Sequence, residues 1–410
     1  MGDRILIVGT FDTKADELGY LAEVIRKQGG TALTMDVSVL GDPPFPTDWS
    51  KHQVIEAGGS TIAEAISWRD ENLAMQAMAR GAARLASRLH RDDVFDGVLV
   101  LGGSMGTDLA LDACSVLPLG VPKLVVSTVS FSPMLPPERL APDIQMILWA
   151  GGLYGLNAIC KASLSQAAGA ILGAVRAVEP PNRQRPLIGM TSFGKTVLRY
   201  MVTLKPELEA RGFEVAVFHA TGMGGRAFES LAAEGVFACV MDFAPQEVGN
   251  HLFGSAITAG PDRMTNAGRR GTPQMVSIGC YDLVDVVGWQ PAPERFRDAP
   301  VHAHNRLLSS YVQTAEQRQM MAQEMSAKLR SAVGKTALFL PNQGGNEWDR
   351  PDGPLADPQG LAVFCDALRQ ACPENVDLVE LDCHINDDAF TRAVLETFDA
   401  WLAEGVISRN

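Results

Sequence analysis

No basic run in this sequence exceeds two or three residues, and the formal net charge is −13 over 410 residues. Such a chain lacks the positive surface that phosphate backbones require, so nucleic acid is excluded as a partner. The nearest things to a basic patch, Arg269-Arg270 and the pair Arg295 and Arg297, fit a solvated or anion-contacting surface. Cysteine pairing is also missing. Cys114, Cys160, Cys239, Cys280, Cys365, Cys372 and Cys383 are odd in number, scattered, and form no CxxC. That argues against a disulfide framework or a zinc ribbon, and for a reducing compartment with cysteine as a small core residue. Neither HExxH nor GxSxG occurs, so zinc-hydrolase and serine-hydrolase readings have no support. The longest apolar runs are too short or too broken by glycine to span a bilayer, and the opening MGDRILIVGT enters a strand with no signal segment. The expectation is a cytoplasmic protein with no membrane partner.

Glycine is what the chain has in excess, with 39 residues, many beside apolar runs. That placement fits tight strand-to-helix turns rather than disorder. At roughly 150 residues per domain the length predicts two or three domains. Short apolar strands at 4–8, 31–39, 97–101 and 123–127 alternate with helical stretches at 15–28, 61–89 and 158–178. A polar segment with three prolines at 179–186 reads as a linker. The pattern then restarts. Strands are expected at 187–191, 214–219, 236–242, 275–278, 336–341 and 376–381. Helices are expected at 195–211, 226–234, about 305–331, 359–371 and 387–401. Strand–helix alternation implies parallel sheets with right-handed crossovers. The fold class is therefore α/β, with two Rossmann-like doubly wound domains, 1–180 and 187–410, and an interdomain cleft.

Ligands of open α/β sheets bind beyond the carboxyl ends of the strands, which directs attention to the loops there. The first, Gly9-Thr10-Phe11-Asp12-Thr13-Lys14, offers hydroxyls, a cation and a helix N-terminus; it is equally a plain turn capped by Asp12 or Thr13. The second, Gly102-Gly103-Ser104-Met105-Gly106-Thr107, follows a wholly apolar strand and opens a helix at about Thr107. It is dense in small donors suited to phosphate, and its spacing is not that of the dinucleotide fingerprint GxGxxG. Ser127 and Thr128 end the next strand and could line the same crevice or simply cap the strand.

In the second half, residues 189–196 satisfy the P-loop pattern GxxxxGK(S/T), and Thr191 and Lys195 lie within it. The pattern requires a strand before Gly189, and only Leu187 and Ile188 separate that glycine from Pro186. A strand ending at Asp242 resembles a Walker B strand. The turn Gly222-Met223-Gly224-Gly225-Arg226 follows His219 and could seat an anion on a helix N-terminus, with Arg226 as its charged fork; it also reads as a tight turn. His302 and His304 lie before one expected helix, and His384 with Asp382, Asn386 and Asp387 before the last. Either set could supply metal ligands or an acid/base histidine, or serve only as surface hydrogen-bonders and caps.

The segments GTFDTK (9–14), LGGSMGT (101–107), VPKLVVSTVS (121–130), VFHATGMGGRAFE (217–229) and HINDDAF (384–390) together resemble, in order, an uncharacterised bacterial and fungal family. Its best-known relative is the N-terminal ATP-binding region of the tomato protein conferring resistance to tomato mosaic virus. The resemblance implies a pair of Rossmann-like subdomains, the first of which binds nucleotide. Carried over by motif, it points to Gly9, Thr10, Asp12, Thr13, Lys14, Gly102, Gly103, Ser104, Gly106, Thr107, Ser127 and Thr128. The plant protein continues into a TIM-barrel-like domain that is missing here, so a separate TIM-barrel protein is an expected partner by analogy with that fusion.

The expectation is an ATP-binding protein, with or without magnesium, with Asp12 in the outer shell of that metal and no metal site of its own. A small anionic substrate would lie in the interdomain cleft on Thr191, Gly222, Gly224, Gly225 and Arg226, with His219, Arg226 and His304 as catalytic candidates. ATP-dependent transfer, ligation and hydrolysis all fit, as does a non-catalytic two-lobed nucleotide sensor. A nicotinamide dehydrogenase lacks the glycine fingerprint and an acidic residue at ribose spacing. The alanine-rich helix at 158–178 leads us to expect a homo-oligomer.

Overall fold

The computed structural model describes residues 2–179 and 184–409, apart from the side chains of Lys195 and Thr196. Most of the expected linker therefore lies outside the described residues. The chain divides into two compact units, Met1–Pro180 and Pro181–Asn410.

The first unit runs β1 (Arg4–Gly9), α1 (Ala15–Lys27), β2 (Thr31–Asp36), α2 (Lys51–Ala57), α3 (Ile62–Ser67), α4 (Glu71–Arg91), β3 (Gly97–Gly102), α5 (Ser104–Ser115), β4 (Lys123–Ser127), β5 (Gln145–Leu148) and α6 (Ala158–Ala177). Its sheet is all parallel, in the order β2-β1-β3-β4-β5. Alternate residues serve opposite faces. Leu6, Val8, Val98 and Val100 pack under α4 and α5, whereas Ile5, Ile7, Leu99 and Leu101 pack under α1 and α6. A parallel sheet covered on both faces needs apolar residues at every position, which is why β3 reads GVLVLG and is buried throughout.

Two expectations change here. The helix at 61–89 is broken into α3 and α4, because Asp70 accepts the Leu73 N–H as an N-cap and Arg69 adopts φ 51°. The helix α6 is, by length and composition alone, apolar enough to cross a membrane, contrary to expectation. Its Cys160, Leu164, Ala167, Ile171 and Val175 stripe is nevertheless buried in the core against β3 and β4.

The second unit runs β6 (Leu187–Ser192), α7 (Arg199–Ala210), β7 (Glu214–His219), α8 (Met223–Glu234), β8 (Phe237–Asp242), α9 (Gln246–Leu252), α10 (Asn266–Arg270) and β9 (Gln274–Val276). It continues through β10 (Leu283–Val287), β11 (Val301–Ala303), β12 (Leu308–Val312), α11 (Ala315–Leu329), β13 (Thr336–Pro341), α12 (Pro358–Ala371), β14 (Asp377–Leu381) and α13 (Asp388–Ala403). The main sheet is parallel, β7-β6-β8-β9-β13-β14, which repeats the strand order of the first unit with one strand added. Here α7 and α13 cover one face and α8, α11 and α12 the other.

The helix expected over 305–331 begins only at Ala315, where Thr314 and Gln317 form a capping box. Residues 308–312 instead pair antiparallel with β10 and β11 in a separate three-stranded sheet. The register sets Ser310 opposite Asp285, and the serine hydroxyl donates to that buried carboxylate at 2.6 Å.

Two helical glycines test this packing with opposite signs. A Cβ on Gly81 of α4 would collide with the Val54 carbonyl oxygen of α2, whereas one on Gly173 of α6 meets nothing within 4 Å. Gly173→Ala should therefore raise stability by ~0.5–1 kcal/mol through helix propensity. Gly81→Ala should lower it by about 1–3 kcal/mol despite the same gain in propensity. Urea denaturation of the two variants measures both.

Candidate functional site

In the order β2-β1-β3, the chain leaves β1 in one direction and later returns on the other side, so the loops after β1 and β3 part and open a crevice at their carboxyl ends. A cleft of about 560 Å³ lies there, lined by Thr10, Asp12, Thr13 and Lys14 from the first loop and by Gly102, Gly103, Ser104, Met105 and Gly106 from the second. The helix α5 starts at Ser104, three residues before the expected position. Its N-cap, Gly103, has no side chain to cap it. The first-turn N–H groups thus face the cleft with no side-chain acceptor, and the helix dipole adds positive potential.

The glycines of that loop do different jobs. A Cβ on Gly102 would lie 2.5 Å from Gly106 Cα, and one on Gly9 would lie 2.8 Å from the Leu18 methyl carbons. Those positions are closed by packing of helix on strand. At Gly103 an added Cβ meets only Thr128 Oγ1, at 3.8 Å, so here the backbone is open to a ligand. Thr107 and Ser127 are buried, with their hydroxyls 2.6 Å apart, and Thr107 also donates to the Gly103 carbonyl. They hold the loop in place and do not line the cleft. Thr128 stands beside Gly103, outside the lining.

On the first loop, the Thr10 and Thr13 hydroxyls are 3.2 Å apart and bond each other. Asp12 Oδ2 accepts the Gly41 N–H at 3.1 Å, which leaves Oδ1 for other use. The Lys14 ammonium donates to the Leu153 carbonyl at 2.8 Å and lies over the Tyr154 ring, so it braces the 149–155 loop as well as lining the cleft.

Sequence reasoning missed the opposite wall. Ser38, Val39 and Leu40 follow β2, and Ile66, Arg69, Asp70, Glu71 and Met75 come from the α3–α4 junction. Leu40, Ile66 and Met105 are exposed large apolar residues grouped around this one cleft. The Arg69 backbone N–H donates to the Ile66 carbonyl, and its guanidinium has no hydrogen bond or ion pair among the described residues. The signal for Ser38 and Leu40 was their place after a strand; the signal for Arg69 was the cap at Asp70. Asp36, at the end of β2 where a ribose-binding acid would stand, is fully buried and accepts from the Phe11 and Ser38 N–H groups.

In the second unit the equivalent region is filled by the protein itself. Gly189 lies inside β6 with Phe237 against it, so residues 189–196 do not form a phosphate loop; Gly194–Val197 is a short 3-10 turn. Thr191 is buried, donating to Asp242 at 2.8 Å and accepting the Ala244 N–H. Asp242 is no Walker B ligand, because it forms a two-pronged pair with Arg263. That arginine is fully buried and also binds Glu247 at 2.7 Å and Glu229 at 3.4 Å.

The anion expected on the Gly222–Arg226 turn is Glu247: its carboxylate accepts the Gly222 and Gly225 N–H groups. Gly222 has φ 86°, and a Cβ on Gly224 would strike the His219 carbonyl, so both glycines serve the turn. Arg226 is paired with Asp262 at 3.1 Å. The donors assigned to a free substrate are therefore already occupied. His219 bonds Thr221 at 3.2 Å, and Phe193 covers one side of its ring. That partial burial, and then the charge of His304, hold its pKa below the usual histidine value. His302 stacks on Trp348 with ring centroids 3.9 Å apart. His384 is buried. Its Nδ1 accepts the Asn386 N–H at 3.0 Å, and its Nε2 points at the Asn346 carbonyl and Asp349. With both nitrogens engaged it positions loops. Among the described residues no group of three or more His, Cys, Asp or Glu side chains could hold a metal ion.

Fold and site together define a two-domain α/β protein, Rossmann-like in each half, with an open switch-point crevice in the first half. The chain belongs to the uncharacterised protein family UPF0261: the family's N-terminal domain matches residues 3–180 and its C-terminal domain residues 185–402. It is 52% identical over 407 residues to a UPF0261 protein of Brucella melitensis, covering 99% of this chain and 97% of that one. It is 34% identical to a UPF0261 protein of Clostridium tetani, over 96% of this chain and 98% of that one. A ToMV resistance protein Tm-1 of Solanum lycopersicum is 27% identical over 96% of this chain and 55% of its own length.

The buried centre around Arg263 has a pH signature. Burial, opposed by Arg263 and reinforced by Asp242, pushes the Glu229 carboxyl up to about 7 from 4.5. A carboxyl raised on folding stabilises fully below its unfolded pKa, and that contribution is lost as pH rises through the folded value. Stability should fall between ~pH 5 and ~pH 8, with Asp285, raised to about 6 by burial, acting in the same direction. Glu229→Gln should flatten the dependence of stability on pH in urea denaturation, keeping one oxygen for the Met264 N–H while the Asn266 N–H loses its acceptor.

Proposed function

We propose that the first domain binds ATP in the crevice between the β1 and β3 loops, with the phosphates on the N-terminus of α5 and the adenine on the apolar wall. The observation that carries this reading is Gly103. It is the glycine of its loop with open space in front of it, at an uncapped helix N-terminus. Backbone N–H groups and the helix dipole in that arrangement suit a phosphate. Arg69 supplies a guanidinium without a partner among the described residues, and Leu40, Ile66, Met75 and Met105 supply a surface for a base. The cleft volume of about 560 Å³ falls within the usual span for small ligands. ATP is the nucleotide that the family resemblance implies; magnesium would arrive with it, within reach of Asp12.

A second reading, a nucleotide sensor without turnover, is favoured by the state of the polar groups in this cleft. The Thr10 and Thr13 hydroxyls bond each other and one Asp12 oxygen is engaged. No histidine stands among the described residues that line the cleft. Recovery of intact ATP after prolonged incubation would favour sensing over catalysis.

The test is thermal unfolding with ATP, ADP, GTP and NAD, each with and without magnesium. Saturation at ~100 times Kd adds roughly 2.7 kcal/mol, a clear rise in Tm. Gly103→Val should leave the ligand-free Tm within a few degrees, because the added carbons have room, yet remove the ATP response. Arg69→Ala should weaken ATP at least tenfold with the fold intact. An ATP response unchanged in both variants would sink the assignment.

A further inference from the structure

The second domain holds a cavity of about 520 Å³ at the carboxyl ends of β13 and β14, remote in sequence from the nucleotide loops. Its apolar side is Tyr281, Pro358 and Leu361. On its polar side Arg318, from α11, is 1% exposed. Its Nε donates to the Gln313 carbonyl at 3.2 Å, but Nη2 has no hydrogen-bond partner. That nitrogen lies 3.0 Å from Asp357 Oδ2, out of line for a hydrogen bond, and 4.0 Å from Asp282 Oδ2. Asp282 is also buried; Asn346 Nδ2 holds its Oδ1 at 2.9 Å, which leaves Oδ2 for the cavity. Burial and the nearby Asp349 charge raise the Asp282 pKa, so the group is able to donate as well as accept.

Charge decides the class of ligand. Five carboxylates line the cavity, Asp282, Asp349, Asp357, Asp366 and Asp382, against three arginines. Two of those arginines are already paired, Arg350 with Glu347 and Asp387, and Arg369 with Asp366 and Glu380. An anion would find only Arg318, between two acids. A cation would be repelled by the same guanidinium. A hydroxyl group satisfies both: it accepts from the arginine and donates to a carboxylate. Asp349 is closed off by His384 and by the Gly345 N–H, so the motif containing His384 serves as the wall that fixes this polar set.

We propose that this cavity binds a small uncharged polyhydroxylated molecule, a sugar or polyol, with the Arg318 guanidinium donating to one hydroxyl and Asp282 and Asp357 accepting from that hydroxyl and its neighbour. The site is independent of the ATP reading.

Calorimetry on the full chain with D-glucose, D-ribose and myo-inositol tests it, with inorganic phosphate and methylammonium as controls. The expected result is saturable binding of at least one polyol and of neither control. Two variants avoid the buried arginine. Leu361→Trp reduces the free volume, and Asp357→Asn keeps the oxygen that caps α12 at the Gly360 N–H while removing the charge. Each should weaken the polyol at least tenfold, with circular dichroism and the ATP response unchanged. No polyol binding, binding of phosphate or methylammonium instead, or polyol binding untouched by both variants overturns the proposal.

Discussion

A parallel sheet covered by helices on both faces has its backbone groups paired along every strand, so chemistry is left to the ends. In both halves of this chain the strand order sends the polypeptide away from the first strand in opposite directions, and a gap between loops follows from that order. What occupies that gap is where the two halves part. In the first half the β3 loop ends in glycine at an uncapped helix N-terminus and the gap stays open. In the second half Asp242 leaves β8 into a two-pronged pair with Arg263, and Glu247 reaches the N-terminus of α8. The same topology gives a crevice in one case and a buried ionic strut in the other.

The strut explains why the glycine-rich turn at 222–225 misled as a sequence. A helix N-terminus attracts negative charge whether it comes from a ligand or from the chain. The sequence around Gly222 shows the donors but not the acceptor, because Glu247 lies 25 positions further on and is brought in by the packing of α9. The first-domain loops were legible for the opposite reason: donors and open space are both local properties of residues 101–107, and among the described residues no carboxylate accepts from the N–H groups that open α5. Strand positions were legible wherever both faces are buried, since β3, β4 and β13 are continuous apolar runs. The small antiparallel sheet was not. Its strands carry Asp285 and Ser310 inward, paired with each other, so their pattern reads as polar helix surface rather than as strand.

The cleft wall that sequence reading overlooked shows a second limit. Helical periodicity continues across residues 61–89, and the break comes from one side chain, Asp70, competing for the Leu73 N–H. That competition turns Arg69 and Ile66 toward the crevice. A local hydrogen bond of modest strength thereby decides where a cation and an apolar patch stand relative to the α5 N-terminus.

Two buried arginines in the second domain make the remaining point about what burial of charge means. Arg263 has partners on all its nitrogens, from Asp242, Glu247, Glu229 and the Ala244 carbonyl. Such a centre is closed, and removing one member would leave an uncompensated charge at a cost of about 3–5 kcal/mol. Arg318 is equally buried and lines a cavity, yet its Nη2, 3.0 Å from Asp357, makes no hydrogen bond among the described residues. A native buried donor without an acceptor is uncommon enough to require an explanation. The strut and the unsatisfied donor are built from the same residue types. They differ in whether the chain's own acceptors stand in line with every nitrogen.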